Sequence, residues 1–414
     1  MFRIWLHLSL PDFIKNLFIK KNNSLNLKKI EKFLSKQSNK KFSSIFSQCR
    51  VGFLYVLKFL KSKSFKKEII FCAYNLPEMV NIAHNLGLSV KFCDIDYKTG
   101  CININQLKEN VSRNTLAIVL TNMFNDPEHS EKIKKIANKL KITLIEDNAI
   151  YFDNFYELNK KKTYSGNFGD YSVFSFNIMK NISSLYGGAV TTNNQDFINY
   201  YVKEMKNLKS FDKINLLKQI TIFFILKIMS VKILYKYLFV HIIRASHKFK
   251  LFYILRIFYP SLQEVKINFP KYYFNKISDL SLRLTWFQLN NKTRRLKIFN
   301  TRKLKNEYYT KKLSKIKSNN LNFINIKDYN YQNFLDFPIL VKDKHNLNNY
   351  LLKKGIEVRF KHYYNCQKLF GSKLHCINAE KFENELICLP NHPKITISYI
   401  DFIVNNIELY YSKL

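Results

Sequence analysis

Glycine is scarce in this chain, with 9 residues in 414, and proline (8) and tryptophan (2) are hardly commoner. So little glycine and proline excludes collagen-like repeats and flexible low-complexity linkers. Acidic residues are the second shortage: 30 Asp and Glu stand against 68 Lys and Arg, a formal net charge of +38. A balance like that suits a nucleic-acid or membrane-surface partner. The lysines are spread along the whole chain, however, and Asn, Ile, Phe and Tyr are also heavily used, as an AT-rich gene would produce. No zinc-finger or RNA-binding signature accompanies the charge, so no nucleic-acid partner is expected. Among seven cysteines, at 49, 72, 93, 101, 366, 376 and 388, no pair is spaced Cys-x-x-Cys, which excludes zinc-ribbon and thioredoxin-type sites. Their odd number and wide scatter suit a reducing compartment, the cytoplasm.

Long apolar runs are missing too. In the most apolar region the charge-free run Ile220–Leu226 is far too short to cross a bilayer, and Lys227, Lys232 and Lys236 interrupt the apolar residues after it. The opening "MFRIWLHLSLPDF" is apolar but carries Arg3 and His7 and has no small-residue cleavage site. It reads as a short amphipathic helix packed on the body, not a signal peptide.

What is present is alternation. "EIIFCAY" (68–74), "SVKFCDID" (89–96), "LAIVLTN" (116–122), "ITLIEDN" (142–148), "DYSVFSF" (170–176) and "GAVTTN" (188–193) read as strands. Between them, "PEMVNIAHNLG" (77–87) reads as a helix with proline in its first turn and glycine at its end. "INQLKENV" (104–111) reads as a short helix, and "SEKIKKIANKL" (130–140) as a helix capped by Ser130. The repetition predicts an α/β fold, a mostly parallel sheet covered by helices, with ligands at the carboxyl ends of the strands. Four segments are expected: an N-terminal helical segment over 1–44, a large domain over 45–204, a basic apolar helical insertion over 205–265, and a smaller α+β domain over 266–414. In the last, "LDFPILV" (335–341), "NLNNYLLKKGI" (346–356), "EVRFKHY" (357–363) and residues 397–414 read as strand, helix, strand and helix.

Glycine, though scarce, is concentrated. Gly166 and Gly169 precede the strand ending at Ser175, and Gly187 and Gly188 follow Lys180. With Glu146–Asp147 at a neighbouring strand end, this brings an amine, a carboxylate and a hydroxyl together. Those groups meet the needs of pyridoxal 5'-phosphate: a lysine to bond its aldehyde as a Schiff base, a carboxylate to keep its ring nitrogen protonated, a hydroxyl for its phosphate. By themselves the three residue types are a weak signal.

The blocks "IIFCAYNLPEMVNIAHNLGLSVKFCDID", "LAIVLTNMFNDPEHSEKIKKIANKLKITLIEDNA" and "GNFGDYSVFSFNIMKNISSLYGGAVTTN", in this order, resemble the DegT/DnrJ/StrS nucleotide-sugar aminotransferases, which have the fold type I aminotransferase architecture. The resemblance covers roughly 45–200 and 270–410. It implies that Lys180 is the Schiff-base lysine, Asp147 the partner of the ring nitrogen and Ser175 a phosphate ligand. Asn122, in "TNMF" (121–124), ends a strand on the cofactor side and is a candidate to approach cofactor or substrate. The resemblance also places Arg50, Val51 and Gly52 of "SQCRVGFLYVLKFL" (47–60) at the phosphate and Leu76 where relatives stack an aromatic ring. It implies transfer of an amino group, with glutamate as donor, onto a nucleotide-linked keto-sugar, by a homodimer. Ile150 stands where many relatives carry Gln or His, Tyr186 where they carry an acid, and Phe274–Lys276 where a partner-subunit Asn-x-Arg motif lies; Tyr151 and Tyr186 could compensate. These departures leave a second reading, a non-catalytic or altered-chemistry member of the fold. His362 and Tyr363 are further candidates, and His392 reads as a turn residue. Finally, nine Lys or Arg and no Asp or Glu between 213 and 263, among many apolar residues, predict peripheral contact with an anionic membrane.

Overall fold

The computed structural model describes residues 2–19, 23–124, 127–158, 161–251, 253–255, 265–266, 268–324, 334–372 and 375–413. At its centre is a seven-stranded sheet. The strands are β1 (Phe42–Phe46), β2 (Glu68–Cys72), β3 (Ser89–Cys93), β4 (Thr115–Thr121), β5 (Thr143–Asp147), β6 (Tyr171–Ser175) and β7 (Gly188–Thr192). Their spatial order is β1-β7-β6-β5-β4-β2-β3. From β3 to β6 every neighbouring pair is parallel, and β7 and β1 close the sheet as an antiparallel edge. The expected α/β architecture is present. All seven residues of β4 are buried, as a strand covered on both faces requires.

The helices are α1 (Leu10–Phe18), α2 (Asn23–Gln37), α3 (Cys49–Lys63), α4 (Pro77–Asn85), α5 (Ile104–Asn110), α6 (Pro127–Lys139), α7 (Gln195–Met205), α8 (Lys213–Met229), α9 (Lys232–Lys248), α10 (Asp279–Leu289), α11 (Lys292–Leu313), α12 (Lys344–Lys353), α13 (Ile377–Glu385) and α14 (Ile397–Tyr411). Helix α6 starts three residues before the expected Ser130 cap, on Pro127, whose fixed φ and missing N–H suit a first helical position. Ser130 instead donates to Asn122 Oδ1 at 3.4 Å.

The opening residues depart from the expected helix. The chain there is irregular and sunk into the body, with Phe2, Ile4, Leu6 and Leu8 buried, and helix begins only at Leu10 behind the Ser9 cap. The period of two in those apolar residues is a strand-like pattern, and Arg3 is buried with them because Asp336 and Glu357 both meet its guanidinium at 3.4 Å.

A small three-stranded antiparallel sheet, β8 (Leu321–Asn322), β9 (Asp336–Val341) and β10 (Leu386–Pro390), forms the second layer system with α12 and α14. Residues 357–363 were expected to be a strand. They are extended, but only Arg359 pairs, exchanging backbone bonds with Cys388. The chain then leaves the small sheet, and Tyr364–Asn365 pairs antiparallel with Tyr74–Asn75 of the large domain. That crossing brings residues 359–363 against the carboxyl ends of the central strands.

Within the apolar insertion, α8 and α9 meet at 82°, and α9 contains a π-turn over Tyr235–Phe239. Among the described residues no single helix is long and apolar enough to cross a membrane. Residues 252 and 256–264 of the insertion lie outside the described residues. Phe13 of α1 stacks on Phe223 of α8, with ring centroids 4.5 Å apart.

Candidate active site

A cavity of about 560 Å³ opens at the carboxyl ends of β5 and β6 and the first turn of α3. Asp147, Ser175 and Lys180 all line it, so the three groups picked from the sequence share one cavity. Strand alternation separates the acidic pair. Asp147 turns to the cavity and is 4% exposed; its Oδ1 accepts from the Ala149 N–H at 2.9 Å. Burial pushes its carboxyl pKa up, while the Ala149 N–H and the Lys180 amine hold it back. No described donor reaches Oδ2.

Glu146 turns the other way. Its two oxygens accept from the backbone N–H groups of Gly166, Phe168 and Gly169, from Asn122 Nδ2 and from Ser172 Oγ, at 2.8–3.3 Å. The glycine-bearing turn is thus wrapped around a buried carboxylate. Gly166 sits at φ +97°, and a Cβ there would lie 2.3 Å from the Phe174 ring.

Lys180 stands in the irregular stretch between β6 and β7. That stretch is pinned by Ser184 N–H to Phe176 O (3.0 Å) and by Gln288 of α10, which bonds both the N–H and the C=O of Ser183. Enclosure by protein lowers the Lys180 amine to about 8; the Arg359 guanidinium pushes the same way and Asp147 opposes it. Arg359 is itself held by Asp336 at 2.8 Å and contacts His362 Nδ1 at 3.1 Å. Burial, then Arg359 and Lys180, keep His362 well below its ordinary pKa, hence neutral. Its Nε2 is buried without a partner among the described residues.

The first turn of α3 contributes less than expected. Arg50 lines the cavity and pairs with Glu78 at 3.3 Å; Glu78 also takes Lys266 at 2.6 Å. The Val51 and Gly52 N–H groups both bond the Gln48 carbonyl, and a Cβ on Gly52 would meet Val190 at 2.8 Å. Gly52 therefore faces the sheet. The structure does not bring Val51, Gly52 or Asn122 to the cavity wall; Asn122 lies beneath it, bonded to Glu146 and Asn148. Leu76 and Tyr186 do line it, with His362 and Tyr363, whereas Ile150 and Tyr151 belong to the core. His392 is buried elsewhere, against the Phe2 carbonyl. Gly188 has a different task. A Cβ there would lie 2.2 Å from the Cys49 N atom, so only glycine lets β7 pass the start of α3.

Sequence reasoning missed Lys218 and Gln219 of α8, Lys266 and Lys361, all in the cavity wall. They come from distant segments and share no spacing. With Arg50, Lys180 and Arg359 they give the cavity six cations against two acids, Glu78 and Asp147.

A parallel α/β sheet with a lysine, a buried carboxylate and a serine at its carboxyl edge is the arrangement of a pyridoxal-phosphate enzyme of the aminotransferase type. The chain belongs to the DegT/DnrJ/EryC1/StrS aminotransferase family, whose model matches residues 20–212 and 273–408. Pyridoxal phosphate is the cofactor of that family's aminotransferases. The chain is 24% identical over 404 residues to the dTDP-4-amino-4,6-dideoxy-D-glucose transaminase of Shigella dysenteriae, covering 94% of this chain and 90% of that protein. It is 28% identical over 176 residues to the GDP-4-keto-6-deoxy-D-mannose 3-dehydratase of Yersinia pseudotuberculosis, covering 41% of this chain and 44% of that one. Several curated relatives match, like the latter, over less than half their own length. The solved structure of Helicobacter pylori PseC, an aminotransferase involved in the biosynthesis of pseudoaminic acid, superposes with a TM-score of 0.70 at 18% identity, covering 97% of this chain and 95% of that one. The family model leaves residues 213–272 unmatched.

The residues present fit the cofactor. The amine has a lowered pKa, the carboxylate keeps an oxygen without a partner among the described residues, and the cationic wall suits a phosphate.

Proposed function

We propose that this chain is a pyridoxal-phosphate aminotransferase that moves an amino group, with glutamate as donor, onto a keto-sugar carried on a nucleotide, for surface-glycan assembly. The observation that carries the reading is the meeting of Lys180 and Asp147 in one cavity. When bound, the cofactor supplies an aldehyde that carries the amino group and a ring that accepts electrons.

This chain's residues supply the rest. Lys180, with its amine near pKa 8, takes and returns the migrating proton close to neutral pH. The buried Asp147 carboxylate holds a proton on the ring nitrogen. Ser175 and Arg50 bind the phosphate. Lys218, Lys266 and Lys361 face the remaining volume, where the diphosphate of a nucleotide needs countercharge. Neutral His362 brings an unpaired nitrogen to the same wall, suited to a sugar hydroxyl.

The printed activity of the Shigella relative, which matches along nearly its whole length, supports the transaminase reading. Residues 45–204 form the cofactor domain and 266–414 the small domain. The enzyme works as a homodimer in the cytoplasm and rests peripherally on an anionic membrane face through 213–263.

The test is spectroscopic. Protein incubated with pyridoxal phosphate should gain a visible absorption band, and glutamate should bleach it while 2-oxoglutarate appears. A band that glutamate leaves unchanged overturns the donor. Absence of any band overturns the cofactor reading.

A further inference from the structure

The peripheral contact just proposed rests on the insertion alone. The structure gives it a second half. Thirty large apolar residues are exposed among the described residues, and fourteen of them lie between Ile214 and Tyr253. Four more, Leu10, Ile14, Leu17 and Phe18, are on α1, more than 190 positions away in sequence. The two pieces are joined: Phe13 stacks on Phe223 and meets Phe224 edge-on, and Lys227 donates to the Leu6 carbonyl at 3.2 Å.

We infer that α1, α8 and α9 form one platform that docks on an anionic lipid surface, with α8 lying between the bilayer and the active-site cavity. Exposure is deep where it matters: Phe18 is 77% exposed, Ile214 82%, Ile233 69% and Tyr237 68%. Single exposed apolar residues are ordinary on a soluble surface, but eighteen of the thirty in two joined segments is a concentration that marks a contact site.

Charge chooses the partner. From Lys213 to Leu255 there are eight Lys or Arg and no Asp or Glu; Lys218 faces the cavity and Lys227 the Leu6 carbonyl, which leaves six cations for the outer face. A symmetric contact between two copies through this face would press like charges together. Anionic lipid headgroups offer the opposite sign. They also accept lysine stems lying along apolar surface with their ammonium groups at the phosphates.

The platform and the site share a helix. Ile214, Leu217, Phe224, Ile225 and Ile228 of α8 are exposed, whereas Lys218, Gln219 and Ile222 line the cavity. A docked enzyme therefore holds its substrate about one helix diameter, ~10 Å, from the headgroups. The segment responsible is the one the family model does not match.

The test is co-sedimentation of the holoenzyme with phosphatidylcholine vesicles, with and without phosphatidylglycerol, at low and high salt. Wild type should pellet only with the anionic vesicles and be released by salt. I14S/L17S/F18S on α1 and I233S/Y237S on α9 should each weaken binding at least tenfold. K232Q/K236Q should weaken it about 25-fold, at about fivefold per cation. All three variants change exposed residues outside the cavity and should keep the glutamate half-reaction, which separates lost docking from lost folding. If wild type stays in the supernatant, both the platform and the simpler contact through 213–263 are wrong. If the α9 variants lose binding and the α1 variant keeps it, the joint platform is wrong and the contact through the insertion stands. If the α1 or α9 variants instead dissociate a dimer in light scattering, the platform is a protein interface and the lipid inference falls.

Discussion

Glu146 and Asp147 are consecutive on one strand and face opposite sides of it, so that one carboxylate holds a loop and the other faces the cavity. Their separation makes two distinct predictions. Glu146→Ala leaves three backbone N–H groups without an acceptor in a closed interior, each costing about 1–3 kcal/mol. The melting temperature should fall by several degrees at least. A calorimetric scan equal to wild type would mean that the loop is held by something else.

Asp147→Asn keeps the shape and removes the charge. The protein should fold and still take up cofactor, but its glutamate half-reaction should slow by on the order of 10²-fold or more, because a neutral amide cannot keep the ring nitrogen protonated. Stopped-flow absorbance after glutamate addition measures this directly. Wild-type rates would remove Asp147 from the chemistry.

Lys180→Ala should fold normally, judged by circular dichroism, and lose the visible band of the bound cofactor together with all transamination. If turnover persists at the wild-type rate, the amine that matters lies elsewhere.

The amine of Lys180 is reactive only without its proton. Its lowered pKa, about 8, means that the reactive form grows as pH rises towards 8 and is complete above it. Cofactor capture by the apo-protein, followed by absorbance, should rise with pH along that curve. Arg359→Gln removes a cation that favours proton loss, so the midpoint should move to higher pH. A midpoint that stays put, or moves down, contradicts the assignment of Arg359 as the main charge acting on the lysine.

Gly188→Ala should be far more damaging than its size suggests. The added methyl would fall 2.2 Å from the backbone nitrogen of Cys49, so strand and helix must part. Loss of cofactor retention with a lowered melting temperature is expected; unaltered retention would show that the first turn of α3 is free to move.

The central sheet was legible because strands buried on both faces are written as unbroken apolar runs with few alternatives. That Lys180, Asp147 and Ser175 line one cavity was legible because their family pattern is local, a matter of a few residues' spacing. Residues 2–8 were misread because seven residues with two polar interruptions fit a helix and a strand equally. What decides is the pair of acids waiting for Arg3, at 336 and 357, which no local window contains. Residues 357–363 have the composition of a strand, but a ladder needs a neighbour along its whole length, and Cys388 supplies one rung. Asn122 was placed at the cofactor because it ends a strand on the correct side. Its amide goes to Glu146 beneath the site, a contact that depends on the loop 20 residues further on. Lys218, Lys266 and Lys361 could not be singled out from so many lysines without knowing which of them the fold gathers.

The belt of donors around Glu146 has a consequence for how this chain tolerates change. Cations are abundant and mostly solvated, so outside the cavity and the platform gaining or losing one alters the surface by little. The acids are few, and Glu78, Glu146, Asp147 and Glu357 are each almost wholly enclosed. A single base change that turns one of the glutamates into a lysine reverses a charge in the interior, whereas the same exchange on the surface adds one more cation to many. Substitution in this protein is therefore asymmetric in sign: the interior depends on each of a small set of enclosed carboxylates, whereas most of the positive charge, outside the cavity, the platform and a few buried cations such as Arg3 and Arg302, is nearly free to vary.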